Sequence, residues 1–206
     1  MQSKKKHRAT IAELAKKSLA GHVISPEQEE GPVRMWLCHK PGTGMYHYRV
    51  VAAPGMLLVY GDIGDHMLQN HDKDLVPWLK DAIKSPDYLI SKFVRRPREF
   101  FPDEATHLLN ELIKEAEEYN YDVEEAVDFR HKVLDNWNEE NDDGHEFGKA
   151  FYEAGGDPEL IDRTYDYDSS VYWTVECLKK FVELHNEHIR KNTAKEEASS
   201  SCIGIT

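Results

Sequence analysis

The sequence predicts an α+β fold, with a small antiparallel sheet of about three strands packed against a larger set of helices. Two observations carry this. Between residues 33 and 60, short apolar and aromatic runs are separated by Pro-Gly turns, the pattern of an antiparallel meander. Beyond residue 74, apolar residues recur at three- and four-residue spacing behind Asp and Ser caps, the pattern of amphipathic helices. Three strands alone are marginally stable, so the helices are expected to cover one sheet face.

Taken in order, Thr10 and Glu13 form a T-x-x-E capping box ahead of Ile11, Leu14, Ala15 and Leu19, which predicts a helix over 10–20. Residues 21–31 read as a connection. Strands are expected at 33–38, 46–51 and 56–60, with turns at Pro41-Gly42-Thr43-Gly44 and Pro54-Gly55. Asp74 caps a helix through Leu79 and Ile83, and Ser85-Pro86 opens a short one. Ala105, Leu108, Leu109, Leu112, Ile113 and Ala116 make one apolar stripe over 103–119. Asp122 with Glu125 opens the next helix. Residues 145–154 stop at Gly155-Gly156, and Asp157-Pro158 starts a short helix. The last helix, about 169–191, carries two apolar stripes. This divides the chain into an N-terminal basic helix and linker (1–30), a single α+β domain (31–192) and a disordered tail (193–206).

The chain has 206 residues and a net charge of −12. No stretch approaches the roughly 20 apolar residues of a membrane-crossing helix. An acidic surface also argues against a grip on long nucleic acid. The charge is uneven: residues 102–168 hold 22 acids against five Lys or Arg, between shorter basic stretches at 1–20 and 84–98. Three widely spaced cysteines, Cys38, Cys177 and Cys202, fit free thiols in a reducing compartment. The basic N-terminal helix is the segment an oligomer would use.

Trp36-x-Cys38-x-x-Pro41-Gly42-Thr43-x-x-Tyr46, followed by Pro54-Gly55-x-Leu57-x-Val59-x-Gly61-Asp62-x-Gly64, resembles a family of accessory proteins of tailed phages and prophages. Ser85-Pro86-Asp87-Tyr88, Tyr165-Asp166-Tyr167 and the aromatic last helix with Tyr172 and Trp173 extend it. The resemblance covers roughly residues 33–94 and 160–185. It implies a phage product acting in the host bacterial cytoplasm and supplies no catalytic residues.

Several constellations carry chemistry. Gly61-Asp62-Ile63-Gly64-Asp65-His66 puts two carboxylates and an imidazole on a Gly-rich turn at a strand end. There Asp62 would accept from a base or ribose, or else bond its own backbone. His39-Lys40-Pro41-Gly42-Thr43-Gly44 could hold phosphate through amides and charge, although the P-loop spacing is absent. Arg34, Trp36, His39, Tyr46, His47 and Tyr48 come from the same small sheet and mix cations with rings. Lys92, Arg95, Arg96 and Arg98 surround Pro97 and are either phosphate ligands or a solvated helix end. His185 and His188 sit three apart on a helix, without the HExxH spacing of zincins. The GxSxG and GxGxxG patterns are missing, so neither a nucleophile elbow nor a cofactor is expected.

These observations lead to a phage counter-defence protein that sequesters a nucleotide immune signal, a cyclic oligonucleotide or an ADP-ribose derivative. Arg34, Lys40, Arg95 and Arg96 would meet phosphates, with Trp36, Tyr46 or Trp173 stacking a base and His39, Asp62 and His66 completing the site. No catalytic or metal-ligating residue is assigned, so binding is favoured over turnover. Two alternatives stand beside it. The first is an acidic inhibitor of a host defence nuclease or DNA-binding protein, using Glu117, Glu118, Glu124, Glu125, Glu139, Glu140, Asp142 and Asp143. The second is a phosphodiesterase built on Asp62, Asp65 and His66.

Overall fold

The computed structural model describes residues 4–137 and 144–201. Its architecture is α+β, but the main sheet has five strands rather than three. They are β1 (Val23–Gln28), β2 (Arg34–His39), β3 (Tyr48–Ala53), β4 (Met56–Gly61) and β5 (His66–Gln69), paired in sequence order and all antiparallel. The predicted linker therefore contains an edge strand. Pro26 sits beside a β-bulge there, which an edge tolerates because one side of the strand has no ladder to complete.

The chain divides into two compact units, and both draw on residues 31–192. The first comprises Thr10–Arg96 and Ser169–Thr206. It holds the five-stranded sheet, α2 (Leu75–Ala82), α3 (Pro86–Ser91) and α8 (Ser169–Ser201). Strand alternation sorts the sheet into two faces. Trp36, Cys38, Tyr48, Val50, Ala52, Leu57, Val59, His66 and Leu68 are buried, and their neighbours along each strand are partly exposed. Trp36 pairs with Val50, Val50 with Val59, and Val59 with His66, a row running across the sheet. α8 covers this face: Trp36 packs on Phe181 at 5.3 Å between ring centroids, and Tyr48 Oη donates to the Cys177 carbonyl at 2.9 Å. Burial pushes the Cys38 thiol up to about 12, so it is an inert core residue. Of the predicted tail, residues 193–201 continue α8, and 202–206 lie outside the described residues.

The second unit comprises Met1–Ala9 and Pro97–Asp168. It contains α4 (Pro102–Tyr119), α5 (Val123–Asn136), α6 (His145–Glu153), α7 (Pro158–Ile161) and a second, unpredicted antiparallel sheet of β6 (Arg98–Phe100) and β7 (Tyr165–Tyr167). Its core gathers Phe100, Leu108, Leu109, Val133, Trp137, Phe147 and Phe151. Asp122 accepts from Glu125 N at 3.1 Å and Asp157 from Glu159 N at 3.0 Å, so both predicted caps form. Thr10 does not cap. α1 (Lys4–Ser18) already begins at Lys4, where Lys4 N donates to Glu104 Oε1 at 3.1 Å and Arg8 grips Asp166.

Candidate ligand-binding site

One end of the five-stranded sheet collects most of the predicted site. The pairings Cys38↔Tyr48 and Tyr48↔Gly61 send the β2–β3 loop (40–47) and the β4–β5 loop (62–65) out of the same edge. Val23 pairs with His39, so the chain leaving α1 arrives there too, at His22. The first turns of α8 bring Ser170 and Trp173 to this end.

Tyr46 and Trp173, both half-buried, lie nearly parallel, with ring centroids 5.5 Å apart and planes 7° from each other. Tyr46 holds a left-handed backbone with φ 57°, a conformation that costs a bulky residue energy and persists only where the surroundings enforce it. They do so on both sides. His22 Nε2–H donates to the Tyr46 carbonyl at 3.0 Å. His22 is buried, and its Nδ1 has no partner among the described residues. On the other side, His47 Nδ1 faces two acceptors, the Gly44 carbonyl at 2.9 Å and Asp62 Oδ2 at 3.1 Å. The proton therefore sits on Nδ1. Asp62 Oδ2 also accepts from His47 N at 3.3 Å, and Asp62 N donates back to the His47 carbonyl at 3.1 Å. Asp62 thus fastens one loop to the other.

Lys40, Arg95 and Arg96 are exposed and form no ion pair among the described residues. Phe93 bridges Leu68, and Val94 N donates to the Met67 carbonyl at 2.8 Å. That antiparallel run carries Arg95 and Arg96 toward the Asp62–Asp65 loop. Arg98 belongs to β6 instead, bonding Asp162 at 2.9 Å.

The other predicted residues lie at the far end of the sheet or are held by other partners. Trp36 is 1% exposed and its Nε1 donates to Glu29 at 3.3 Å, so its face is core rather than stacking platform. Arg34 starts β2 at the opposite end, paired with Asp74 and lying over the Trp36 ring at 5.6 Å. His39 bonds Ser25 Oγ at 3.1 Å. His66 is buried, with Nε2 3.1 Å from Ser170 Oγ, and does not share a solvent-facing cluster with Asp62 and Asp65. His185 packs between Trp36 and Phe181, while His188 reaches Glu29. No trio of His, Cys, Asp or Glu among the described residues could hold a metal, and no described helix is long and apolar enough to cross a membrane.

Of the acidic set, Glu117, Glu118, Glu124 and Glu125 are exposed on α4 and α5. Glu139, Glu140, Asp142 and Asp143 lie outside the described residues. His22 was not singled out from the sequence, and His47 was named without its partner. The His47–Asp62 pairing follows from the two-residue turn at Pro54-Gly55: six pairs back from Ala53↔Met56, His47 stands opposite Asp62.

Comparison with protein-family models, curated proteins and solved structures finds no match.

Proposed function

We propose that the protein binds a small anionic nucleotide at the loop end of the five-stranded sheet and holds it without consuming it, as a phage product that withdraws an immune signal in the host cytoplasm. The observation that carries this reading is the parallel Tyr46–Trp173 pair, with Tyr46 on a loop that starts at Lys40, with Arg95 and Arg96 following the Phe93–Val94 pairing along β5 and all three cations without ion-pair partners among the described residues. An aromatic surface beside uncommitted cations offers stacking to a base and charge to phosphate. Asp62, already accepting from His47, fixes the loop geometry and presents its other oxygen to a sugar or base donor. The buried, Ser170-bonded position of His66 weighs against the phosphodiesterase alternative.

The test is a thermal-shift panel of cyclic oligonucleotides and ADP-ribose derivatives, with the nucleotide recovered afterwards by chromatography. Stabilisation with intact nucleotide is the expected result. Consumed nucleotide makes the protein an enzyme, and no shift across the panel removes the reading.

A second reading rests on the α4–α5 turn. Tyr119 and Tyr121 are 62% and 71% exposed. Around them, Glu115, Glu117, Glu118, Glu124 and Glu125 make no ion pair among the described residues. Tyrosines ringed by acids fit a basic protein surface. This reading requires a complex with a host protein that weakens with salt and with Glu→Gln changes.

A further inference from the structure

The Tyr46 and Trp173 rings leave no space for a third ring between them. Their planes are separated by no more than the 5.5 Å between centroids, whereas an inserted base needs about 7 Å, two contact layers of about 3.5 Å. Either the base binds elsewhere or one ring gives way. Trp173 stands on the 33-residue helix α8 between two buried neighbours, Tyr172 and Thr174. Tyr46 follows the exposed Pro41-Gly42-Thr43-Gly44 loop. Its backbone is nonetheless pinned: His22 holds its carbonyl, and the next residue, His47, is tied to Gly44 and Asp62. What remains free to move is the side chain, by rotation about its own bonds.

The backbone adds a second argument. A turn at φ 57° is most easily filled by Gly or Asn. A tyrosine here accepts strain, and what it places in return is a ring on Trp173.

We propose that the Trp173 face covered by Tyr46 is the platform for a flat heteroaromatic base, and that the Tyr46 ring is its displaceable cover. This rests on the nucleotide reading above and specifies which group of the nucleotide is recognised and where. In the free protein Tyr46 stands in for the base and keeps an apolar surface from water. On binding, the base takes that face and the phosphate is left for Lys40, Arg95 or Arg96.

The experiment uses the full chain labelled with 5-fluorotryptophan, with its four tryptophan resonances assigned by single Trp→Phe variants. It is titrated with AMP and, separately, with ribose 5-phosphate, which lacks a base. AMP is expected to shift the Trp173 resonance and leave those of Trp36 and Trp137 in place, and ribose 5-phosphate is expected to leave Trp173 unmoved. Tyr46→Asn tolerates the left-handed backbone and removes the ring, so it remains folded. It should bind AMP about three- to ten-fold more tightly, the equivalent of one aromatic pair no longer displaced. AMP binding that leaves Trp173 unshifted overturns the platform and spares the nucleotide reading. Weaker AMP binding by folded Tyr46→Asn overturns the cover, because Tyr46 is then part of the binding surface. Binding of neither probe overturns the platform, and the panel of cyclic nucleotides then decides the wider reading separately.

Discussion

Asp62 Oδ2 takes two hydrogen bonds from one residue, His47, through its backbone N–H at 3.3 Å and its ring Nδ1–H at 3.1 Å. The pair continues the β3–β4 ladder one step beyond Gly61 with side-chain atoms. Asp62→Ala removes both bonds and should lower stability by about 1–2 kcal/mol. Asp62→Asn keeps an acceptor oxygen in place and should stay within a few tenths of wild type. Urea denaturation of the two variants separates these outcomes. If Asp62→Asn is as stable as wild type yet binds nucleotide poorly, the carboxylate itself touches the ligand.

Gly61 is the residue on which this crossing depends. A Cβ at Gly61 would lie 2.4 Å from the His47 carbonyl oxygen, at a backbone φ of 147°. Gly61→Ala must move backbone rather than a side chain, and is expected to cost about 3 kcal/mol. Gly44→Ala, whose Cβ would meet nothing within 4 Å, is the control and should be nearly neutral. Equal melting temperatures for the two variants would contradict the close approach.

His185 gives the sheet unit a dependence on pH. It is 6% exposed, and burial, with Lys80 and Arg34 nearby, lowers its pKa to about 4. His188 acts in the same direction and Glu29 opposes them. The folded protein therefore favours neutral imidazole, while the unfolded chain takes up a proton near pH 6.5. The stability this provides is complete above about pH 6.5 and is lost as pH falls toward 4, by roughly 2–3 kcal/mol. His185→Leu cannot titrate and should flatten that part of the profile. Urea midpoints between pH 7.5 and 4.5 that fall equally in both proteins would place the dependence elsewhere.

In the helical unit, Arg8 reaches both oxygens of Asp166, at 3.0 and 2.8 Å, and the Asp166 side chain is 3% exposed. Removing the guanidinium takes the bidentate partner from a buried carboxylate. Arg8→Ala should cost about 3 kcal/mol. Arg8→Lys should recover less than half, since one ammonium cannot match two oxygens side by side. Thermal melts of both variants test the ranking, and full rescue by Lys would mean the bidentate geometry is unimportant.

The parts legible from sequence are those whose cause is local. Asp74, Asp122 and Asp157 each accept from a backbone N–H two or three residues on, and the central strands announce themselves through Trp36, Cys38, Val50 and Val59 alternating inward. Thr10-Glu13 had the form of a cap and failed, because the lysines before it continue the helix through contacts made far along the chain, such as Lys4 with Glu104. β1 was missed because Pro26, Glu27 and Gln28 are exposed edge residues with no apolar face to show. β6 and β7 are three residues each, too short for any period. At the candidate site, Tyr46 and Trp173 were both recognisable as rings, but nothing in either neighbourhood says that they meet across 127 positions. Trp36 misled for the opposite reason: its motif is conspicuous, and its ring is core.

The hydrogen bond from Tyr48 to the Cys177 carbonyl joins residues 129 positions apart, which has a consequence during synthesis. At roughly 5–20 residues per second, a ribosome takes roughly 6 to 26 seconds to travel from one to the other. Throughout that interval the meander can pair, yet Trp36 lacks Phe181 and Tyr48 lacks the Cys177 carbonyl, the partners that α8 brings. The part of the sheet face that α8 covers stays open while the acidic middle is still being made, which is the interval in which such a chain is most exposed to aggregation.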